Sequence, residues 1–422
     1  MGATLAEKIL ATHTTDGKAT AGEIVEANVD FVMVHEVLGS RIMPILDEMG
    51  VDKVWDPKRI LVVNDHWAPA PNIQSAEIHQ RNRDFVRKHG ITHFCDVNCG
   101  ICHQVMADWG LARPGELIVG CDSHTCSYGA FNAFSTGLAA TDTAIILATG
   151  SNWFRVPESR RFEISGELPD FVMSKDLILR IVTDLGSDGA TYESLEFHGP
   201  TIDSMTVPSR MTMCNMSVEA GAKTAIMTLN ESATSWLNAK SAMSTWTPME
   251  PDRDAGYVET HRYDLDSDPL GPIVSAPNSP ANGKAVEEVE GIEIDQAFIG
   301  SCTNGRLEDI EIAARILKGK NVAQGVRLIL TPASMETYLS AVRAGFIETL
   351  ITSGAVVTNP TCGACVGGHL GILGPDEVAI SSTNRNFRGR MGHPESLVYL
   401  ASPATVAASA LKGVITDPRS VA

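Results

Sequence analysis

Three cysteines have the type and spacing to hold a metal cluster: Cys302 in IGSCTNGR, and Cys362 and Cys365 in NPTCGACVGG. All three follow apolar segments, stand in loops rich in Gly, Asn and Thr, and are followed by no fourth cysteine. A structural zinc or a closed iron–sulfur cluster normally takes four protein ligands. Three thiolates leave one metal position open, so a cluster here could act on a substrate as a Lewis acid. Buried structural thiols are the alternative, because a lone C-x-x-C pair is a weak signal.

A second group of cysteines, Cys95, Cys99 and Cys102 in FCDVNCGICHQ, has the C-x3-C-x2-C spacing of the radical SAM enzymes. Those enzymes also bind a cluster through three cysteines and usually carry an aromatic residue just before the last one. Ile101 takes that place here, and no glycine-rich segment for adenosylmethionine follows. A radical SAM site is therefore an alternative hypothesis, beside incidental thiols around a functional His103.

Histidines and carboxylates occur together at the ends of two predicted strands, as Asp65-His66 and as Asp122-Ser123-His124. His103 and Glu219 are further candidates. A carboxylate next to an imidazole fixes its tautomer and raises its basicity, as general acid–base chemistry requires. A single pair could equally be a capped turn or a core histidine, but their recurrence at strand ends favours catalysis.

Arginines are concentrated in TNRNFRGR, at Arg385, Arg388 and Arg390. An arginine fork binds a carboxylate through two hydrogen bonds. A solvated charge run is the alternative. In an acidic chain, close to the proposed cluster cysteines, the pattern favours a clamp for a carboxylate substrate.

Alternating helical and strand patterns predict an α/β fold that would position these side chains. The apolar run Arg59–His66 is predicted to be a buried strand that delivers its polar residues at the carboxyl end, where open α/β sheets place their sites. Gly115–Thr125 repeats this pattern of a strand followed by a polar cluster. Four more strand-then-loop units follow residue 286, and two of them carry the cluster cysteines.

Helices are predicted over Ile42–Met49, Ser75–Gly90 and Phe131–Gly150, the first after a strand or loop at Gly22–Gly39. The second has a serine at its start and a glycine at its end, which predict a cap and a stop. The third is rich in small residues and is predicted to be a tightly packed buried helix.

The composition changes in the segment Thr247–Ala285, which is rich in Pro, Asp, Ser and Gly and shows no sustained hydrophobic period. We predict an inter-domain connection there, with one edge strand. The chain would then consist of residues 1–285, with the acid–base pairs, and residues 286–422, with the cluster cysteines and the arginine loop.

The composition of the 422 residues is that of a globular protein, 44% hydrophobic and 20% charged, with a net charge of −18. This charge argues against a nucleic-acid or anionic-membrane partner, because either would need a basic surface. No signal peptide and no apolar run of membrane-spanning length are recognised, so a cytoplasmic location is expected. In that compartment nine cysteines indicate thiols or metal ligands rather than disulfides.

Six motifs occur in one order along the chain: GICHQ, DSHT, CNMSVEAGA, GSCTNGRLED, CGAC and NRNFRGR. With them the chain resembles the aconitase superfamily over nearly its full length. Within it, the chain is similar to the large subunits of 3-isopropylmalate dehydratase, and also to those of homoaconitase and 2,3-dimethylmalate dehydratase. The resemblance implies three-layer α/β/α domains around a central [4Fe-4S] cleft.

The resemblance also implies roles for individual residues. The cluster would be held by Cys302, Cys362 and Cys365, with one iron free of cysteine for the substrate hydroxyl and carboxylate. Acid–base pairs would be formed by Asp65 with His66, His103 with Asp122, and His124 with Glu219, with His66 as proton donor to the departing hydroxyl. Residues that would hold the substrate or cluster are His35, Ser123, Asn215, Asn384, Arg385 and Arg390. The reaction would remove water from a hydroxy di- or tricarboxylate and, in an isomerase, add it back the other way round.

Two departures from the family pattern bear on partner and substrate. No counterpart of the swivelling domain, which carries a serine base and further arginines, is recognised, so a separate small subunit is expected. Cys95, Cys99 and the Asn64–Trp67 run differ from the sequence expected of the leucine-biosynthesis enzyme. The substrate therefore stays open between 3-isopropylmalate, a methylated malate and a homoaconitase substrate. RNA binding by the apo-protein, known for some aconitase relatives, is a third hypothesis that the negative charge disfavours.

Overall fold

The computed structural model describes residues 2–240 and 246–421. Its elements up to residue 240 are, in chain order, α1 (Leu5–His13), β1 (Ile24–Asn28), β2 (Phe31–His35), α2 (Glu36–Glu48), β3 (Ile60–Val63), α3 (Ile73–His89), β4 (His93–Cys95), α4 (Cys102–Asp108), β5 (Leu117–Gly120), β6 (Phe134–Gly137), α5 (Ala140–Thr149), β7 (Ser151–Arg155), β8 (Ser159–Ser165), α6 (Ser174–Leu185), β9 (Ser194–His198), α7 (Pro200–Ser204), α8 (Val207–Met216), β10 (Thr224–Met227) and α9 (Glu231–Lys240).

From residue 246 on, the elements are β11 (Thr260–Asp264), β12 (Ile273–Ser275), β13 (Gly283–Ala285), β14 (Gln296–Ile299), α10 (Leu307–Leu317), β15 (Arg327–Leu330), α11 (Met335–Arg343), α12 (Phe346–Thr352), β16 (Val356–Val357), β17 (Val378–Ser381), β18 (Leu397–Leu400) and α13 (Pro403–Lys412). The predicted α/β fold class is confirmed, and within the described ranges helices and strands alternate through most of the chain.

A five-stranded parallel sheet in the order β4-β3-β2-β5-β6 carries most of the predicted acid–base residues. Its strands are almost wholly buried because their apolar side chains face helices or neighbouring loops on both sides. Since the strands are parallel, their carboxyl ends lie at one edge. His35 ends β2, Asp65-His66 follow β3, and Asp122 follows β5.

A seven-stranded sheet in the order β13-β12-β18-β17-β14-β15-β16 carries the predicted cluster ligands. The strands from β18 to β16 are parallel, and β12 and β13 extend the sheet in the antiparallel sense. Cys302 follows β14, Cys362 follows β16 and Asn384 follows β17, so all three lie at the carboxyl ends of parallel strands. Helices α10 and α13 contact each other beside this sheet.

A third sheet, in the order β10-β9-β8-β11, is also parallel, and β1 and β7 form an antiparallel ribbon. Glu219 lies in a 3₁₀ turn just before β10, and Asn215 lies near the end of α8. The predicted division into residues 1–285 and 286–422 stays a prediction, although β12 and β13 pair within the seven-stranded sheet. In the described part of the chain no helix is long and apolar enough to cross a bilayer.

The helix predictions are confirmed in part. Helix α2 covers the predicted Ile42–Met49 except for Met49, which caps its end, and it begins earlier, directly after His35. Helix α3 ends at Gly90 in the left-handed conformation (φ 70°), as predicted. The predicted serine cap is wrong, because the cap is Asn72, three residues earlier, whose side chain accepts the Ser75 N–H.

The prediction of one buried helix over Phe131–Gly150 is wrong for its first half, which forms strand β6. A side chain at Gly137 would lie 2.3 Å from the Asp122 carbonyl oxygen, so the small residues there serve a close strand–loop contact rather than helix packing. The prediction of one edge strand between Thr247 and Ala285 is also wrong. Three strands lie there, because Pro and Gly separate short extended segments that each pair with an existing sheet.

Candidate active site

Loops from the two larger sheets and from α4 meet around one cavity. Nine of the predicted site residues line it together with Ile101 and Cys102, namely His66, His103, Asp122, His124, Cys302, Cys362, Cys365, Asn384 and Arg390. Residues more than 200 positions apart in sequence thus share one site. They come together because the carboxyl ends of strands in the five-stranded and seven-stranded sheets face the same cavity.

Cys302 is buried and its sulfur faces two side-chain amides. Asn215 Nδ2 and Asn384 Nδ2 lie 3.3 and 3.2 Å from Sγ and donate to it. Burial and the neighbouring Cys365 sulfur raise the pKa of the Cys302 thiol to about 12. A thiolate at neutral pH would therefore need the positive charge of a bound metal.

Cys362 and Cys365 are bound to the rest of the site through their loop. The Cys362 N–H donates to the Asp65 carbonyl at 3.2 Å, and Thr361 Oγ1 donates to the same oxygen at 2.6 Å. The Cys365 sulfur lies 3.4 Å from Asn384 Oδ1 and 3.7 Å from Arg390 Nη2. Burial raises the pKa of the Cys362 thiol far above its ordinary value.

The residues present fit an iron–sulfur cluster. The three thiols are free, buried and directed into one cavity. Amide and guanidinium donors lie around their sulfurs, which is how proteins stabilise the negative charge of such a cluster.

His66 and Asp65 form a buried hydrogen-bonded pair. His66 Nδ1 donates to Asp65 Oδ1 at 2.7 Å, and Asp65 Oδ2 accepts the Cys102 N–H at 2.7 Å. Burial alone would lower the pKa of His66, but the Cys362 sulfur and the Asp65 carboxylate raise it well above its ordinary value. A raised pKa keeps the His66 ring protonated, which agrees with its predicted role as a proton donor.

His103 is bound through both ring nitrogens. Nε2 lies 2.8 Å from Asp122 Oδ1, and Nδ1 lies 2.9 Å from the Tyr128 hydroxyl. Asp122 Oδ1 also accepts the His124 N–H at 2.8 Å. Burial would raise the pKa of Asp122, but the hydrogen bonds from His103 and His124 hold it well below its ordinary value. Asp122 is thus an anion at the cavity wall.

His124 and Glu219 form a third buried pair, with His124 Nε2 2.8 Å from Glu219 Oε1. Arg385 binds the same carboxylate. Burial would raise the pKa of Glu219, but His124 and Arg385 lower it. All three pairs predicted from the sequence are therefore brought together, while their chemical roles stay predictions.

His35 stacks on His66 with ring centroids 4.3 Å apart, and its Nε2 lies 4.0 Å from Asp122 Oδ2. Neither ring nitrogen has a hydrogen-bond partner among the described residues. Burial and the neighbouring His66 lower the pKa of His35 to about 4, so its ring is neutral. A neutral imidazole whose ring nitrogens lack partners is suited to a hydrogen bond with a substrate, as predicted for His35.

The other residues predicted to hold the substrate fall into two groups. Arg390 and Asn384 line the cavity. Asn215 binds the Cys302 sulfur and the Thr303 hydroxyl, and Arg385 binds Glu219, so both stand behind the cavity wall. Ser123 Oγ lies 3.4 Å from His124 Nδ1. Arg388, the third arginine of the loop, is exposed and donates to the Pro394 carbonyl.

The second cysteine group does not converge as a cluster-binding trio. Cys95 and Cys99 are joined in a disulfide, with Cα atoms 5.8 Å apart, so the prediction of thiols or metal ligands rather than disulfides is wrong for this pair. Cys102 is a free thiol whose side chain lines the cavity. This arrangement gives no support to the radical SAM alternative.

Four residues that sequence reasoning did not assign are important to the site. Glu36 contacts the Asp65-His66 backbone, and the Tyr128 hydroxyl orients His103. Lys175 Nζ donates to the Ser382 and Thr383 carbonyls just before Asn384, and burial lowers its pKa to about 7. Arg306 binds the Cys302 carbonyl. Proximity in sequence to His35 and Cys302 could have indicated Glu36 and Arg306, but nothing local marks the other two as buried.

His35, Glu36, Asp65 and His66 offer ligand atoms within 4.8 Å of one another. The oxygens of both carboxyl groups already accept backbone N–H groups, so we interpret this cluster as a hydrogen-bond network. Burial and the neighbouring Asp65 carboxylate raise the pKa of Glu36 to about 8.

A larger cavity of about 430 Å³ lies between α6 and β11. Two of its charged residues already bind each other, with Arg180 Nε 3.0 Å from Asp184 Oδ2. None of the predicted site residues lines it among those described. Size alone therefore does not make it the catalytic site.

Known proteins share both the sequence and the fold. The profile of the aconitase family (aconitate hydratase) matches residues 7–290 and 282–413. The 3-isopropylmalate dehydratase large subunit 1 of Methanopyrus kandleri is 50% identical over 99% of each chain. A probable methanogen homoaconitase large subunit of Methanothermobacter thermautotrophicus is 48% identical over 99% of this chain and 98% of its own. The crystal structure of Thermococcus kodakaraensis aconitase X matches 88% of each chain with a TM-score of 0.51 at 12% identity, which shows the fold.

Proposed function

This chain belongs to the aconitase family and is a hydro-lyase, and we propose that it is the large subunit of a 3-isopropylmalate dehydratase that carries a [4Fe-4S] cluster. The observation that carries this proposal is the convergence of three free cysteines and three histidine–carboxylate pairs on one cavity. Relatives of this name match the chain end to end.

Cys302, Cys362 and Cys365 would hold the cluster, which supplies a Lewis acid through the iron that no cysteine binds. His66, kept protonated by Asp65, would donate its proton to the departing hydroxyl so that it leaves as water. Asp122 and Glu219 keep the other two histidines oriented. Arg390 at the cavity wall would bind a substrate carboxylate.

Elimination also requires a base that removes a proton from the carbon next to the hydroxyl-bearing one. We assign this base to a separate small subunit that carries the swivelling domain. The named relatives are large subunits and match this chain over 98–100% of their own lengths, which supports a two-chain enzyme. We also propose a cytoplasmic location, because cluster-binding cysteines must be reduced thiols.

A homoaconitase large subunit is a second candidate, because a relative of that name is 48% identical over nearly the whole chain. A 2,3-dimethylmalate dehydratase is a third candidate, because Cys95 and Cys99 depart from the pattern of the leucine enzyme. Contacts to the variable substrate side chain would come largely from the small subunit.

The test is anaerobic reconstitution of the chain with iron and sulfide, followed by assays with and without its small subunit. We expect hydration and dehydration of isopropylmalates only with the pair. Faster turnover of homoaconitate or of dimethylmalate in parallel assays would move the assignment to that substrate. A Cys302→Ser variant should lose the cluster and its activity, and a full cluster in that variant would contradict the ligand assignment. Full activity of the single chain would contradict the two-chain proposal.

A further inference from the structure

Glu36 is a completely buried acid whose carboxyl group faces three consecutive backbone N–H groups. Oε1 accepts from His66 at 2.6 Å and from Trp67 at 2.8 Å. Oε2 accepts from Asp65 at 3.1 Å. Burying an acid is costly unless its carboxyl group is hydrogen-bonded. A fully buried glutamate that binds three backbone N–H groups is therefore expected to have a role beyond packing.

The sheet register explains how Glu36 reaches this loop. Strands β2 and β3 are neighbours, with His35 opposite Val63. Glu36 is the first residue after β2, and Asp65 and His66 lie just after the end of β3. Glu36 therefore lies beside the loop that follows β3, and the first turn of α2 holds it in place.

The same loop is held from its opposite side by the segment that carries a cluster cysteine. Thr361 Oγ1 and the Cys362 N–H donate to the Asp65 carbonyl. The N–H groups of the loop thus bind Glu36, and the Asp65 carbonyl of the same loop binds Thr361 and Cys362. A peptide held on both sides has a fixed direction, which sets how the Asp65 carboxylate meets His66 Nδ1.

We propose that Glu36 is a positioning residue for His66: by binding the N–H groups of Asp65, His66 and Trp67, it fixes the Nδ1–Asp65 hydrogen bond and so directs Nε2 into the cavity. This role rests on the proposed function, in which His66 is the acid that protonates the leaving hydroxyl. The hydrogen bonds of Glu36 are to the backbone of the loop, its Oε2 also lies 3.9 Å from His66 Nδ1, and it is not among the described residues that line the cavity.

The test compares Glu36→Ala and Glu36→Gln with the control Glu48→Ala, which changes an exposed glutamate at the other end of α2. In the reconstituted pair with isopropylmalate, Glu36→Ala should lower kcat about 100-fold with KM changed less than about threefold, because a misdirected acid fails in the transition state. Glu36→Gln keeps an acceptor for His66 and Trp67 and should recover about tenfold of that loss. The control should match wild type.

Two measurements on the large subunit without cluster separate this proposal from the proposed function. Hydrogen exchange of the peptide around residues 64–68 should become faster in Glu36→Ala, and nitrogen NMR of the His66 ring should show loss or broadening of the Nδ1–H signal that reports the hydrogen bond to Asp65. If the wild-type pair has no hydro-lyase activity, the proposed function fails and these two readouts still decide the role of Glu36. An unchanged Nδ1–H signal of His66, or a kcat within threefold of wild type in Glu36→Ala, would overturn the proposal. Should Glu36→Ala not fold, the same readouts on Glu36→Gln decide, with normal exchange at Asp65 as the contrary result.

Discussion

Arg385 Nε donates to both carboxylate oxygens of Glu219, at 2.8 and 3.0 Å. Glu219 in turn accepts from His124 Nε2. An arginine predicted from the sequence to bind substrate is thus bound to the carboxylate of a predicted acid–base pair, 166 residues earlier in the chain. The contact joins the arginine loop to the predicted acid–base pair of His124 and Glu219.

Replacement of Arg385 by Gln should therefore change the pH dependence of the enzyme. Arg385 helps to lower the pKa of Glu219, so its loss raises that pKa. Glu219 then takes up its proton at a higher pH as the solution is acidified, and the acidic limb of the kcat/KM profile should move to higher pH. The exposed neighbour Arg388, changed to Gln, is the matched control. A raised KM with an unshifted profile would instead support direct substrate binding by Arg385.

The fold was predictable where one local pattern has one structural outcome. The apolar β-branched run before Asp65-His66 could hardly be other than a buried strand, and it is one. The prediction of one helix over Phe131–Gly150 was partly wrong because small residues suit both a packed helix and a strand in close contact with a loop. Only the approach of Gly137 to the Asp122 backbone, a tertiary contact, decides between the two.

The site was predictable to the extent that its residues lie in recognisable motifs at strand ends. Nothing local in the sequence indicated Tyr128 or Lys175, because their importance comes from burial next to His103 and next to the segment before Asn384. The sequence also could not show that Arg385 faces Glu219 rather than the cavity. Such pairings depend on how three sheets meet, which no local pattern records.

Arg306 should be required for a stable cluster loop. Its guanidinium donates to the Cys302 carbonyl at 2.7 Å, to the Thr303 carbonyl at 2.6 Å and to Gln104 Oε1 at 2.9 Å. Lysine cannot make these contacts together, so Arg306→Lys should destabilise the protein by about 1–3 kcal/mol and shorten the life of the reconstituted cluster in air. Calorimetry and the decay of visible absorbance measure the two effects. Arg343→Lys, on an exposed face of α11, is the control, and equal behaviour of both variants would contradict the prediction.

His13 and Asp30 should contribute a pH-dependent stability outside the site. His13 Nδ1 lies 2.7 Å from the Ile9 carbonyl while Nε2 contacts Asp30, so both nitrogens must carry protons. Burial opposes this charge, but Asp30 raises the pKa of His13. The contribution is complete below the unfolded pKa near 6.5 and is lost as the pH rises through the folded pKa.

The variant His13→Asn should accordingly lower stability by about 0.5–1 kcal/mol at pH near 6 and by less at pH near 9. Calorimetric Tm values of the apo-protein at the two pH values measure this. The exposed His393, changed to Asn, serves as control. A loss of stability that is equal at both pH values would show that the His13 charge contributes nothing.

Cysteine replacements should separate the two cysteine groups. Cys95 and Cys99 bind each other, and neither lines the cavity among the described residues, so Cys99→Ser should keep the iron and sulfide content of the reconstituted wild type. Cys362→Ser should lose cluster iron, because its sulfur is one of three that converge there. Cys102 is unsuited to this comparison, since its side chain lines the same cavity. Iron and sulfide analysis with the visible spectrum gives the result. A cluster lost in Cys99→Ser but kept in Cys362→Ser would reverse the assignment and restore the radical SAM hypothesis.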